Sequence, residues 1–178
     1  MAEGELLRDS VVVWDVEDSR KLFSEGFYGK PLGIPKPRDI GFDAPLVLDL
    51  VEALYLQKKN KLEVFAQGEK IKPDELERHA QAIDENFPIK YSVYSDLRER
   101  GFIVLPGIKF GSDFAAYRHG PGIDHAPFII QVKRTFDQLS ALEIIRSGRL
   151  ATSVRKHFTV AVPTDERVSY VLFEWWKA

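Results

Sequence analysis

The tightest constraint on how this chain can fold is the run Gly120-Pro121-Gly122, set between the segments FAAY (114–117) and PFIIQV (127–132). Three consecutive turn formers continue neither a strand nor a helix, so a strand ending near Tyr117 must reverse there. Reversal brings the two ends of the segment together and lets Tyr117 and His125 face one space. Farther on, SVRKHF supplies Lys156 beside Arg155. A tyrosine on a strand is most often a packing residue. A histidine just beyond a Gly/Pro turn belongs to a loop and is accessible. A phenol, an imidazole and an ammonium with no carboxylate cluster are a set suited to metal-free cleavage of a phosphodiester. One group takes a proton from the 2′-hydroxyl, one protonates the departing 5′-oxygen, and a cation holds the pentavalent phosphorus. Imidazole is the natural acid, and a phenol serves as base where cations such as Arg118, His119 and Lys156 stabilise its anion.

Composition narrows the classes. With no cysteine in 178 residues there is no disulfide, thiol nucleophile or thiolate zinc site. The four histidines, His79, His119, His125 and His157, form no HExxH pair, so neither a metal nor a cofactor is expected. No apolar stretch reaches the roughly 18–20 residues of a membrane span. The N-terminus lacks a signal-peptide pattern. These features predict a soluble cytoplasmic protein. Net charge is −2, but between Lys133 and His157 six basic residues face only Asp137 and Glu143, a local patch able to hold a phosphate backbone.

Periodicity places the elements. Residues 10–14 predict a buried strand, followed by a short helix capped by Asp18 or Ser19 and ending near Gly26. Residues 27–44 are too rich in Gly and Pro for regular structure and carry Lys30, Lys36 and Arg38. A helix is expected from Pro45 to Lys61, a strand over 62–65 and a helix entered at Pro73. Phe87-Pro88 marks a domain boundary, giving domains of residues 1–86 and 87–178. Beyond it come a helix over 90–100 with an Asp96–Arg100 pair and strands over 102–106, 108–117 and 127–132. A helix around 138–146, broken by Gly148, precedes strands over 157–162 and 168–176. The fold class is α/β (α+β): a small mixed N-terminal domain, then an α/β domain around a central mixed sheet.

The motifs VLDLVEALYL, DLRERGFIV, GIKFGSDFAAYRHG with its following histidine, and SVRK occur in this order and together resemble the archaeal tRNA-splicing endonucleases. The resemblance runs from Val11 to Lys177. It implies a restriction-endonuclease-like C-terminal nuclease domain and assigns Tyr117 as general base, His125 as general acid and Lys156 as transition-state stabiliser. The products implied are a 2′,3′-cyclic phosphate and a 5′-hydroxyl, made at bulge–helix–bulge junctions of precursor tRNA. It further implies RNA binding by Arg149 and by a tryptophan, Trp175 or Trp176, as plates around a flipped base. Lys36 and Arg38, on what resembles an insertion, become candidate RNA contacts. Asp165 and Glu166 fall where the family carries an acidic loop that plugs another subunit. Two bulges need two sites at a fixed spacing, so a four-chain assembly with non-catalytic homologous partners is expected, with a homo-oligomer as the alternative.

Two rivals are weighed against this. A non-catalytic structural or RNA-binding subunit of the same enzyme is disfavoured because all three triad residues are present. A metal-dependent DNA nuclease wants paired carboxylates, and Asp113, Asp124 and Glu143 are isolated in sequence.

Overall fold

The computed structural model describes residues 1–34, 40–121 and 127–175. It divides into two compact units, Met1–Pro88 and Ile89–Ala178.

The first unit holds a mixed sheet. Its elements are β1 (Ala2–Leu6), β2 (Ser10–Val13), α1 (Val16–Gly26), β3 (Lys30–Pro31), β4 (Leu46–Asp49), α2 (Leu50–Lys58), β5 (Leu62–Ala66), β6 (Glu69–Ile71) and α3 (Pro73–Ile83). The strand order is β3-β4-β2-β1-β5-β6. Val11, Val13, Leu46, Leu48, Leu62 and Val64 are buried on one face, each removal from water contributing about 1.5–3 kcal/mol. The first helix starts earlier than expected because Asp15, not Asp18 or Ser19, accepts from the Asp18 amide.

The helix expected from Pro45 is corrected. Leu46–Asp49 is a strand paired with both β2 and β3, and the helix begins only at Leu50. Asp49 accepts from the Val51 amide at 3.1 Å and Glu52 from the Asp49 amide at 3.0 Å, a reciprocal cap that stops the helix from extending backward. Buried Glu52 also accepts from the Gly29 amide, fastening the chain there to α2.

The second unit carries most of α4 (Phe87–Glu99), then β7 (Ile103–Pro106), β8 (Phe114–Tyr117), β9 (Phe128–Val132), α5 (Ala141–Ser153), β10 (His157–Pro163) and β11 (Val168–Phe173). Strand order is β11-β10-β9-β8-β7, antiparallel except that β9 and β10, joined through α5, run parallel. On one face Ile129, Phe158 and Val160 pack with Ala151 of α5. On the other, Tyr94 of α4 lies 5.9 Å from Phe114. The expected Asp96–Arg100 pair forms at 2.7 Å, and Tyr170 of β11 donates to Asp96 at 2.6 Å.

Two further expectations are corrected. Residues 108–117 are not one strand: Ile108–Phe110 is a 3-10 turn, closed at Gly111 in the left-handed region, and the strand begins at Phe114. Gly148 does not end its helix. It is buried within α5, where an added Cβ would lie 3.1 Å from the Trp175 ring, so the glycine makes room for an aromatic instead of breaking the helix.

Candidate functional site

The reversal expected between FAAY and PFIIQV is present: Ala116 on β8 pairs with Phe128 on β9, and Phe128 pairs with His157 on β10. One step outward along each strand, the same row contains Tyr117, Pro127 and Lys156, and the His157 amide donates to Pro127 O at 2.8 Å. Neighbouring strands are about 4.8 Å apart, so the backbones of Tyr117 and Lys156 stand roughly 10 Å from each other. Side chains alternate along a strand. Tyr117 therefore shares the face of Ala115, whose partner Ile129 pairs with Phe158. Lys156 extends on that face too, since its ammonium lies over the Phe110 ring, which packs against the Ile129–Phe158 cluster.

The backbone at Lys156 is set by how α5 ends. The Arg155 amide donates to Thr152 O at 3.1 Å and the Lys156 amide to Ala151 O at 2.8 Å, the paired bonds of a Schellman cap. Arg155 occupies the left-handed position of that cap with φ 55°, where glycine is the unstrained residue. Arg155→Gly is expected to raise stability by about 0.5–1 kcal/mol, and Arg155→Val to lower it by about 1 kcal/mol, in urea unfolding. Equal midpoints for the two variants would show that this conformation carries no strain.

Other tyrosines and histidines are occupied differently. Tyr94 is buried and accepts from Arg98 Nε at 2.9 Å. Burial, then the adjoining Asp96 carboxylate, pushes the Tyr170 phenol well above its ordinary value, which keeps it protonated. Burial also pushes the Asp96 carboxyl upward, but hydrogen bonds from Arg100 and Tyr170 outweigh it and hold the group below the ordinary carboxylate value. His157 lies on the opposite sheet face, its ring 5.9 Å from Phe128. In the first unit the His79 ring nitrogen contacts Arg8 O at 2.8 Å.

His125, Lys36, Arg38 and Trp176 lie outside the described residues. Arg149 is exposed on α5. Trp175, beyond β11, packs against the same helix, its indole N–H donating to Thr152 Oγ1 at 3.0 Å and its ring against Gly148, the residue preceding Arg149. Trp175 thus packs against the helix that carries Arg149. Asp165 and Glu166 are exposed in the β10–β11 turn, closed by Thr164 N to Arg167 O at 2.8 Å. That turn stands at the end of β10 opposite Lys156, roughly 25 Å of strand away.

Sequence reasoning missed the work of Asp113. Its carboxylate accepts from the Val132 amide at 2.8 Å, Gln131 Nε2 at 3.1 Å and Lys90 Nζ at 3.1 Å, fastening the Gly107–Asp113 turn to β9. The one signal was an aspartate beside a Gly-rich turn. Among the described residues no three His, Asp or Glu side chains converge as a metal-binding group, and no helix is long and apolar enough to cross a membrane.

Residues 2–77 match the family model of the tRNA intron endonuclease N-terminal domain. Residues 87–170 match that of the tRNA intron endonuclease catalytic C-terminal domain. Over 99% of both chains it is 46% identical to the tRNA-splicing endonuclease of Hyperthermus butylicus. It is 40% identical to that of Sulfurisphaera tokodaii over 98% of both, and 38% identical to that of Sulfolobus acidocaldarius over 99% of both.

Proposed function

Because the chain belongs to the tRNA intron endonuclease family, we propose that it excises introns from precursor tRNA by the metal-independent chemistry of Tyr117, His125 and Lys156. The observation that carries this reading is the shared row and face of Tyr117 and Lys156, two strands apart at one edge of the β8-β9-β10 ladder. A phosphate seated between them meets a phenol on one side and an ammonium on the other.

In the reaction Tyr117 takes the proton of the ribose 2′-hydroxyl, and the freed oxygen attacks the adjoining phosphorus. Lys156 holds the negative charge of the five-coordinate phosphorus. The P–O5′ bond breaks as His125 delivers a proton to the 5′-oxygen. The ends are a 2′,3′-cyclic phosphate and a 5′-hydroxyl, and no water is consumed.

The substrate is a bulge–helix–bulge, with Arg149 and Trp175 stacking on an extruded base and Lys36 and Arg38 contacting the RNA. Residues 1–86 and 87–178 form the two domains. Assembly is a heterotetramer with a non-catalytic homologous subunit, and Asp165 and Glu166 dock on a neighbouring chain. Their distance from Lys156 supports that division of labour, since one chain's acidic turn does not enter its own site.

Cleavage of a bulge–helix–bulge RNA in excess EDTA tests the chemistry. The expected rate is within about twofold of that in Mg²⁺, and the 5′ fragment carries a cyclic phosphate. Loss of cleavage in EDTA that Mg²⁺ restores, or a 3′-hydroxyl on that fragment, overturns the proposal.

A further inference from the structure

We propose that Phe110 is a positioning residue for the reaction, a fixed aromatic platform that holds the Lys156 ammonium on the sheet face it shares with Tyr117. The inference rests on the catalytic reading of Lys156.

A lysine side chain has four rotatable bonds and ordinarily spreads its charge over many positions. Here the Lys156 ammonium lies 5.2 Å from the Phe110 ring centroid. A ring's face is its negative side, so a cation over it is attracted, most strongly where water is partly excluded. Lys156 is half-buried, and Phe110 packs against the cluster of Ile129, Ala151, Phe158 and Val160.

A platform helps only if it does not move, and the Phe110 turn is braced at every step. The Phe110 amide donates to Gly107 O at 2.8 Å, and the Gly107 amide to Asp113 O at 2.9 Å. An added Cβ at Gly107 would come within 2.8 Å of the Phe114 amide nitrogen, so the turn closes this tightly only with glycine there. Gly111 supplies the left-handed exit. Asp113 fastens the far side of the turn to β9 through Val132 N and Gln131, and to α4 through Lys90. β9 is the strand lying between Tyr117 and Lys156 in the ladder. The turn that carries the ring is therefore anchored to the strand that sets the spacing of the two groups.

The Schellman cap fixes the Lys156 backbone, and the Phe110 ring fixes the other end of its side chain. A lysine held at both ends loses little freedom when the phosphorane charge develops, which is the condition for stabilisation specific to the transition state.

The test uses full-length protein carrying Phe110→Leu, Phe110→Trp, Lys156→Ala and the Phe110→Leu/Lys156→Ala pair. Single-turnover cleavage is measured beside affinity for a substrate with 2′-deoxyribose at the scissile nucleotide, which binds but cannot react. Phe110→Leu is expected to lower the rate about tenfold with affinity within twofold, and Phe110→Trp to restore it to within about threefold. In the Lys156→Ala background Phe110→Leu adds no further loss. In lysine labelled with ¹³C at Cε, the Lys156 methylene protons are expected upfield of the other lysines because they lie over a ring, and Phe110→Leu returns them to the common position. Wild-type cleavage by Phe110→Leu with Lys156→Ala slow, an equal loss in both backgrounds, or no upfield-shifted lysine overturns this inference alone. Wild-type cleavage by Lys156→Ala overturns the catalytic reading beneath it.

Discussion

Tyr117→Phe is expected to slow single-turnover cleavage by roughly 10³, with RNA affinity within about threefold and unfolding midpoint unchanged. General-base removal of a proton typically contributes 10²–10⁴, and phenylalanine deletes only the oxygen that does it. Tyr117 is half-buried at the end of β8, and the ring that packs there remains. Neither Tyr94 nor Tyr170 can substitute. Tyr94 is enclosed, and Tyr170 is held protonated by burial and by Asp96. A rate within threefold of wild type would remove Tyr117 from the mechanism.

How far this arrangement could be read in advance depended on whether each step was local. The reversal between β8 and β9 was legible because Gly and Pro act on their own neighbours in sequence, and the Ala116–Phe128 pairing agrees with it. The helix entered at Pro73 was legible for the same reason, with Glu75 accepting from the Lys72 amide. Failures arose where a distant partner reversed a local preference. Leu46–Asp49 continues the helical spacing of Leu50 and Leu54, yet pairing to β2 and β3 makes it a strand. Gly148 reads as a helix breaker unless Trp175, 27 residues later, is known to need the space.

The candidate site shows the same division. Tyr117 and Lys156 were singled out by chemistry and by resemblance, but their common row depends on the β9–β10 register, set across the whole of α5. No pattern within SVRK states that register. Phe110 was hidden for a related reason: in GIKFGSD it reads as one more strand residue, and only the 3-10 turn brings its ring toward Lys156.

Lys156→Ala is expected to lower the single-turnover rate by roughly 10²–10³, the usual consequence of removing one transition-state donor, with affinity for an unreactive substrate within threefold. The separation of rate from affinity matters because the neighbourhood is basic. Exposed Arg149 and Arg155 remain to attract the phosphate backbone, so ground-state binding has other sources. Stabilising a charge that appears only during the reaction requires a cation at the phosphorus, and Lys156 is the lysine on the row. Lys156→Arg separates charge from placement. A guanidinium keeps the charge but is planar and longer, and it stacks flat on a ring where an ammonium stands as a point. Its rate should recover only in part, remaining at least tenfold below wild type. Full recovery by arginine would show that charge anywhere near the row suffices. If alanine instead weakened affinity tenfold while the bound complex reacted normally, Lys156 would be a binding residue and the phosphorane would need another partner.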